Sequence, residues 1–168
     1  MSDTVHRAYI AIGSNVGDRR AHVDFARAAL AALPDTQLVA FSSVHETAPV
    51  GPQDQGPYLN AAAAIDTQLS PEALIERFQR IEKDAGRERV ERWGPRTLDV
   101  DLLLYGHQII STDELTVPHP LMHERWFVLK PLSEIAPDAI HPMLQMTVAA
   151  MLSNVEETGG SGAGGTPD

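Results

Sequence analysis

Two carboxylates stand two residues apart inside an otherwise apolar run, Leu98-Asp99-Val100-Asp101-Leu102-Leu103-Leu104. If the run is a strand, alternate side chains leave on the same side, so Asp99 and Asp101 share a face. Their Cα atoms then lie roughly 7 Å apart, at ~3.3 Å of rise per residue. Aspartate is disfavoured in strands, and two like charges on one face repel, so something has to offset the cost. A hard divalent cation would do so: Mg2+ takes one or two carboxylates and completes its shell with water and substrate phosphates. An edge strand would also accommodate the pair, its acids facing water. Both readings stand at this point.

Basic side chains gather just upstream. Residues 77–96 carry Arg77, Arg80, Lys83, Arg87, Arg89, Arg92 and Arg96, seven of the chain's 13 basic residues, against four acids. The whole chain has a formal net charge of −10, so this window is a positive patch on an acidic protein and reads as a focused anion site. Arginine predominates over lysine, which suits forked contacts to phosphate oxygens. Arg77, Arg80 and Lys83 also fit a solvated helix face. The loop setting of Arg87, Arg89, Arg92 and Arg96 favours a role in binding. A second informative stretch is Thr47 to Asn60, rich in Pro, Gly and Gln. Tyr58 and Asn60 lie two apart at a strand start, a ring beside a carboxamide, which suits a flat heterocycle or equally a surface turn with a half-buried tyrosine. His119 is held between Pro118 and Pro120. A fixed histidine can donate to a phosphate, although a lone one is more often structural.

Composition narrows the classes. The 168 residues suit one domain with its own core, and 43% of them are hydrophobic. The negative charge opposes a general nucleic-acid binder and a polybasic membrane anchor. Cysteine is absent, which excludes disulfides and thiolate chemistry and fits the cytoplasm. The chain has no run of 18 apolar residues and no signal-peptide pattern at the N-terminus. There is no GxxxxGK[ST], no kinase signature, no HExxH and no Gly-x-Ser-x-Gly elbow.

The elements that must position these residues follow from periodicity and caps. Val5 to Ile12 reads as a strand ending in a Gly-Ser-Asn turn. Asp18 caps a helix that runs to about Leu33 with Val23, Ala26, Leu30 and Leu33 inward. Gln37 to Glu46 and Tyr58 to Thr67 are strands two and three. Ser70-Pro71-Glu72 opens a second helix that ends near Ala85 before Gly86. Leu98 to Tyr105 is the fourth strand, with a short fifth at 108–110. Helices follow at about 127–135 and 146–153. The expected class is α+β, in the split β-α-β order of ferredoxin-like folds, an antiparallel sheet with helices on one face plus C-terminal helical additions. One domain is expected over 1–157, with a Gly-rich tail over 158–168.

The stretch Arg92-Trp93-Gly94-Pro95-Arg96-Thr97-Leu98-Asp99-Val100-Asp101-Leu102-Leu103 resembles the signature of 6-hydroxymethyl-7,8-dihydropterin pyrophosphokinases. Ala11-Ile12-Gly13-Ser14-Asn15 is similar to that family's N-terminal motif. Val50 to Gln55 with Tyr58-Leu59-Asn60 is similar to its pterin loop, and Leu115 to Pro120 to a later nucleotide segment. The matches run in order from about residue 8 to 137.

The resemblance implies a ferredoxin-like enzyme that moves pyrophosphate from ATP to the pterin hydroxymethyl group and releases AMP. It implies that Asp99 and Asp101 hold two Mg2+ ions. Arg87, Arg89, Arg92, Trp93 and Arg96 would form a loop over the phosphates. Gln79, Glu82, Leu102, Thr116, His119 and Arg125 would line the nucleotide. Tyr58 and Phe127 would sandwich the pterin and Asn60 would read its edge, helped by backbone around Thr47 and Val50. Glu114 stands where a well-known form of the family carries arginine. No nucleic-acid or membrane partner is expected, and a monomer is. Three rivals remain on the residues alone: a regulatory ligand-binding module, an RNA-binding module on the same fold, and another Mg2+-dependent phosphotransferase.

Overall fold

The computed structural model describes residues 4–14, 18–47, 58–86 and 98–158. In chain order these form β1 (His6–Ser14), α1 (Arg19–Ala31), β2 (Thr36–Phe41), β3 (His45–Thr47), β4 (Tyr58–Thr67) and α2 (Pro71–Ala85). Next come β5 (Asp99–Tyr105), β6 (Ile110–Ser111), β7 (Thr116–Val117), a 3-10 turn (Met122–Glu124), α3 (Trp126–Ile135), β8 (Ile140–His141), β9 (Met146–Thr147) and α4 (Val148–Glu157). Of the expected loop over 47–57, the charged loop over 86–96 and the tail over 158–168, only Thr47, Gly86 and Thr158 are described, Thr47 ending β3 and Thr158 capping α4; the rest, with Val50, Arg87, Arg89, Arg92, Trp93 and Arg96, lies outside the described residues.

Local chemistry sets the helix starts. The Asp18 carboxylate accepts the Ala21 N–H at 3.1 Å, and the Ser70 hydroxyl accepts the Ala73 N–H at 3.1 Å with Pro71 at the first helical position. Thr147 does the same for α4 through Ala150. Each such cap stabilises its helix by about 1 kcal/mol.

The main sheet has the order β2-β4-β1-β5, with β3 continuing beside β4, and its ladders are antiparallel. The expected second strand divides in two. Ser42 leaves the extended path because its N–H donates to the Ala62 carbonyl while its hydroxyl accepts the Ala62 N–H, both at 2.9 Å. The first strand runs two residues further than expected, so Gly13 lies within β1 rather than in a turn.

Helices cover both faces, which corrects the expectation of one. Ala8, Ile10 and Ile12 point toward α1 and α2, with Val23, Leu30, Leu74 and Phe78. The opposite face is also apolar: Ala62, Leu103 and Leu104 pack against Leu129 and Leu132 of α3 and Met151 of α4. The reason lies in β4, whose Ala61 to Ile65 are each 2% exposed or less, a strand buried on both sides as its unbroken apolar run allows. A bulge makes β5 serve both layers. Ile10 is opposite Leu102 and Tyr9 opposite Leu104, so Leu103 is an extra residue and the alternation resets there.

Candidate active site

Register places the candidate residues in rows across the sheet. Gly13 of β1 lies opposite Asn60 on one side and Asp99 on the other. One row on, Ala11 lies between Ala62 and Asp101. Residues directly opposite share a face, and so do residues two apart. Tyr58, Asn60, Asp99 and Asp101 therefore share the face that α3 and α4 cover only in part. The uncovered remainder is a cavity of about 740 Å3. Its walls include Tyr58, Asn60, Asp99 and Asp101 from the sheet, His119 from the segment after β7, and Arg125 and Phe127 at the start of α3.

A second cavity of about 410 Å3 lies around the free edge of β5, against α2. Gln79, Glu82, Leu102, Glu114 and Thr116 line it. Asp101 and His119 border both cavities. The strand is thus an edge strand, as one reading of the aspartates required, yet its acids border a cavity. Glu82 also holds the strand: its Oε2 accepts the Val100 N–H at 2.8 Å, between the two aspartates, capping a donor that an edge strand leaves unpaired.

The bulge fixes His119. The Leu103 carbonyl accepts the His119 N–H at 3.0 Å, bringing the histidine beside the aspartate strand. His119 Nδ1 accepts the Leu121 N–H at 3.2 Å. Burial holds the imidazole pKa below its ordinary value, and the Arg125 guanidinium lowers it further. A neutral ring whose Nδ1 accepts carries its proton on Nε2, so His119 is a hydrogen-bond donor through that atom. Tyr58 shows the opposite field: burial, then the charge of Asp99, holds its phenol above the ordinary value. The Arg125 guanidinium carbon lies 5.6 Å from the Phe127 ring centroid, a cation–π contact that steadies the ring at the cavity wall.

Thr47 is opposite Tyr58 in the β3–β4 ladder, which puts its backbone beside this wall. Sequence reasoning missed His123, Asn154, Val155 and Thr158, which line the larger cavity from the 3-10 turn and the end of α4. No spacing rule links them to β5; only the return of the chain over the second face does. Gly13 was legible only as a turn residue. A Cβ there would meet Asn60 Oδ1 at 3.3 Å, so its missing side chain makes room for the carboxamide.

Among the described residues no group of three or more His, Asp or Glu side chains is arranged to hold a metal. Asp99 and Asp101 offer hard oxygen donors on one face beside open volume, a set that suits Mg2+ only if water and phosphate oxygens complete the shell. No helix among the described residues is long and apolar enough to cross a membrane.

The family model for 7,8-dihydro-6-hydroxymethylpterin-pyrophosphokinase matches residues 9–137. A Haemophilus influenzae protein named 2-amino-4-hydroxy-6-hydroxymethyldihydropteridine pyrophosphokinase is 50% identical over 139 residues, 83% of this chain and 87% of its own. A Bacillus subtilis protein of the same name is 50% identical over 128 residues, 76% of this chain and 77% of its own. The crystal structure of Plasmodium falciparum HPPK-DHPS with pterin and p-hydroxybenzoate superposes with a TM-score of 0.72 at 13% identity. That match covers 96% of this chain and 46% of the other, so this chain spans just under half its length, and the likeness is one of fold.

Proposed function

The chain belongs to the 7,8-dihydro-6-hydroxymethylpterin-pyrophosphokinase family, and we infer from its two cavities where that family's reaction takes place in it. The enzyme transfers pyrophosphate from ATP to the hydroxymethyl group of 6-hydroxymethyl-7,8-dihydropterin and releases AMP, a step in folate synthesis. The observation that carries the assignment of sites is the junction: a cavity bordered by Tyr58, Asn60 and Phe127 meets one bordered by Gln79, Glu82 and Thr116 at Asp101 and His119. The pterin occupies the first, its ring between Tyr58 and Phe127 and its polar edge toward Asn60. The nucleotide occupies the second, its phosphates at the junction.

The pterin hydroxymethyl oxygen gives up its proton to solvent and forms a bond to the β-phosphorus, and the bond from that phosphorus to the α,β-bridging oxygen breaks. AMP departs with that oxygen. The chain contributes position and charge. Asn60 and the two rings orient the nucleophile, and His119 Nε2 donates to a phosphate oxygen. Arg125 adds positive charge beside the junction. Arg87, Arg89, Arg92, Trp93 and Arg96 are assigned to the phosphates through the family resemblance. Asp99 and Asp101 would hold Mg2+, two ions by that resemblance, and the metal supplies neutralisation of phosphate charge. The strand order, with α1 following β1 and α2 following β4, supports the ferredoxin-like reading. We assign the active unit as a monomer.

The test is AMP release from ATP with 6-hydroxymethyl-7,8-dihydropterin, with and without Mg2+. AMP formed only when both are present supports the assignment. ADP as the product would reject pyrophosphate transfer.

A further inference from the structure

The two aromatic rings assigned to the pterin stand on different elements: Tyr58 begins β4 and Phe127 lies in the first turn of α3. Their gap depends on how α3 seats against the sheet edge formed by β3 and β4. The apolar contacts there, Leu129 and Leu132 on Ala62, are non-directional and permit small slides of the helix. A polar contact at the other end of α3 removes that freedom. Glu134, one residue from the helix end, reaches the chain between β2 and β3. Its Oε1 accepts the Ser43 N–H at 2.9 Å and the Ser43 hydroxyl lies 2.8 Å from the same oxygen. Its Oε2 pairs with His45 Nε2, with Ser43 Oγ 2.9 Å away. Ser43 lies just before the three-residue strand β3 and His45 begins it; in that strand His45 is opposite Asn60 and Thr47 opposite Tyr58. Pro131 cannot donate to the Phe127 carbonyl, so α3 is less stiff than an unbroken helix and its far half needs an anchor of its own.

We propose that Glu134 is a positioning residue for the pterin: by gripping Ser43 and His45 it sets the spacing between Phe127 on α3 and the Tyr58–Asn60 wall on β4. Glu134 lines neither cavity, so it acts through the residues it holds. Its effect therefore falls on the pterin and not on the nucleotide, whose assigned cavity is built from α2, β5 and the β6–β7 segment.

This inference rests on the proposed function, and the experiment separates the two. Pterin and ATP-analogue dissociation constants and steady-state parameters are measured for the wild type, Glu134→Ala, Glu134→Gln and Ser43→Ala, each after a thermal melt. Losing a charged hydrogen-bond partner of this kind should weaken pterin binding about tenfold in Glu134→Ala. ATP-analogue affinity should stay within about twofold, since the nucleotide wall is untouched. Glu134→Gln keeps an acceptor for Ser43 and should recover part of the loss, and Ser43→Ala should reproduce a smaller loss of the same sign. Equal loss of both ligands, unchanged pterin affinity, or no recovery in Glu134→Gln overturns the positioning role. If Glu134→Ala does not fold, Ser43→Ala and Glu134→Gln decide by the same comparison. A wild type that binds no pterin would overturn the proposed function, and this inference with it.

Discussion

At Asp99 and Asp101 the folded chain holds two like charges on one face of an edge strand, beside cavities rather than bulk water alone. Their removal should cost activity and not stability. Asp99→Ala and Asp101→Ala are expected to lower AMP release by at least ~100-fold, the scale on which charge-stabilising groups act. Their melting temperatures should stay near that of the wild type, because neither side chain belongs to the packed core. A variant with near-wild-type turnover would remove that residue from the reaction. Gly13 should separate the same two quantities in another way. Gly13→Ala places a Cβ 3.3 Å from Asn60 Oδ1, so the carboxamide must shift by a few tenths of an ångström. The pterin KM should rise several-fold, while alanine stabilises a strand position by about 0.5–1 kcal/mol relative to glycine. Steady-state kinetics with a melt of the same sample reads both. That the aspartates share a face is legible in the sequence because type and spacing define it, whereas the choice between a cation site and a water-facing edge needed the family resemblance. The place of Gly13 between Asn60 and Asp99 is not legible, since it depends on which strands become neighbours.

The elements divide by how local their causes are. α1, α2 and β4 are readable from caps, a proline at the first helical position and a bounded apolar run, and each forms close to its expected limits. The division of β2 from β3 depends on Ser42 meeting Ala62, and the β6–β7 and β8–β9 pairs have two residues per strand, too few for periodicity to register. The seat of α3 likewise depends on tertiary contact, and its Glu134 gives it a signature in acid. Burial raises the Glu134 carboxyl pKa, but the Ser43 N–H and hydroxyl and the His45 ring outweigh it, and the net direction is down from 4.5. A carboxyl depressed in the fold stabilises it above the unfolded value and loses that contribution as pH falls through the folded one. The wild type should therefore lose more melting temperature than Glu134→Gln as the pH is taken from neutral to below the ordinary carboxyl value of 4.5. Parallel curves for the two proteins would show that the carboxylate adds nothing to the fold.

For the molecule as a whole, antiparallel strand order was reachable from the order of elements, whereas the second helical layer was not. That layer exists because β4 is apolar on both sides and the chain after Pro118 returns across it. The same return brings Phe127, Arg125 and His119 to the strands that carry Tyr58 and Asp101, so the site is assembled from residues far apart in the chain. Ligands that bridge such a junction should stabilise the fold together more than apart. An ATP analogue and pterin, each at about 100 times its dissociation constant, contribute about 2.7 kcal/mol apiece before any coupling. A melt should move upward by about 10–20 °C with both ligands and Mg2+. Without Mg2+ the nucleotide's share should fall, and a melt indifferent to the metal would count against Mg2+ binding at Asp99 and Asp101. The bulge at Leu103 has a bearing on how this protein can change over time. It splits β5 into two stretches with independent phase, Asp99 to Leu102, whose aspartates line the larger cavity while Val100 and Leu102 pack in the core, and Leu104 to Tyr105, buried throughout. Repacking around Leu104 and Tyr105, even with a shift in their alternation, can be absorbed at that joint, so this part of the core is free to drift in sequence while Asp99 and Asp101 keep facing the cavity.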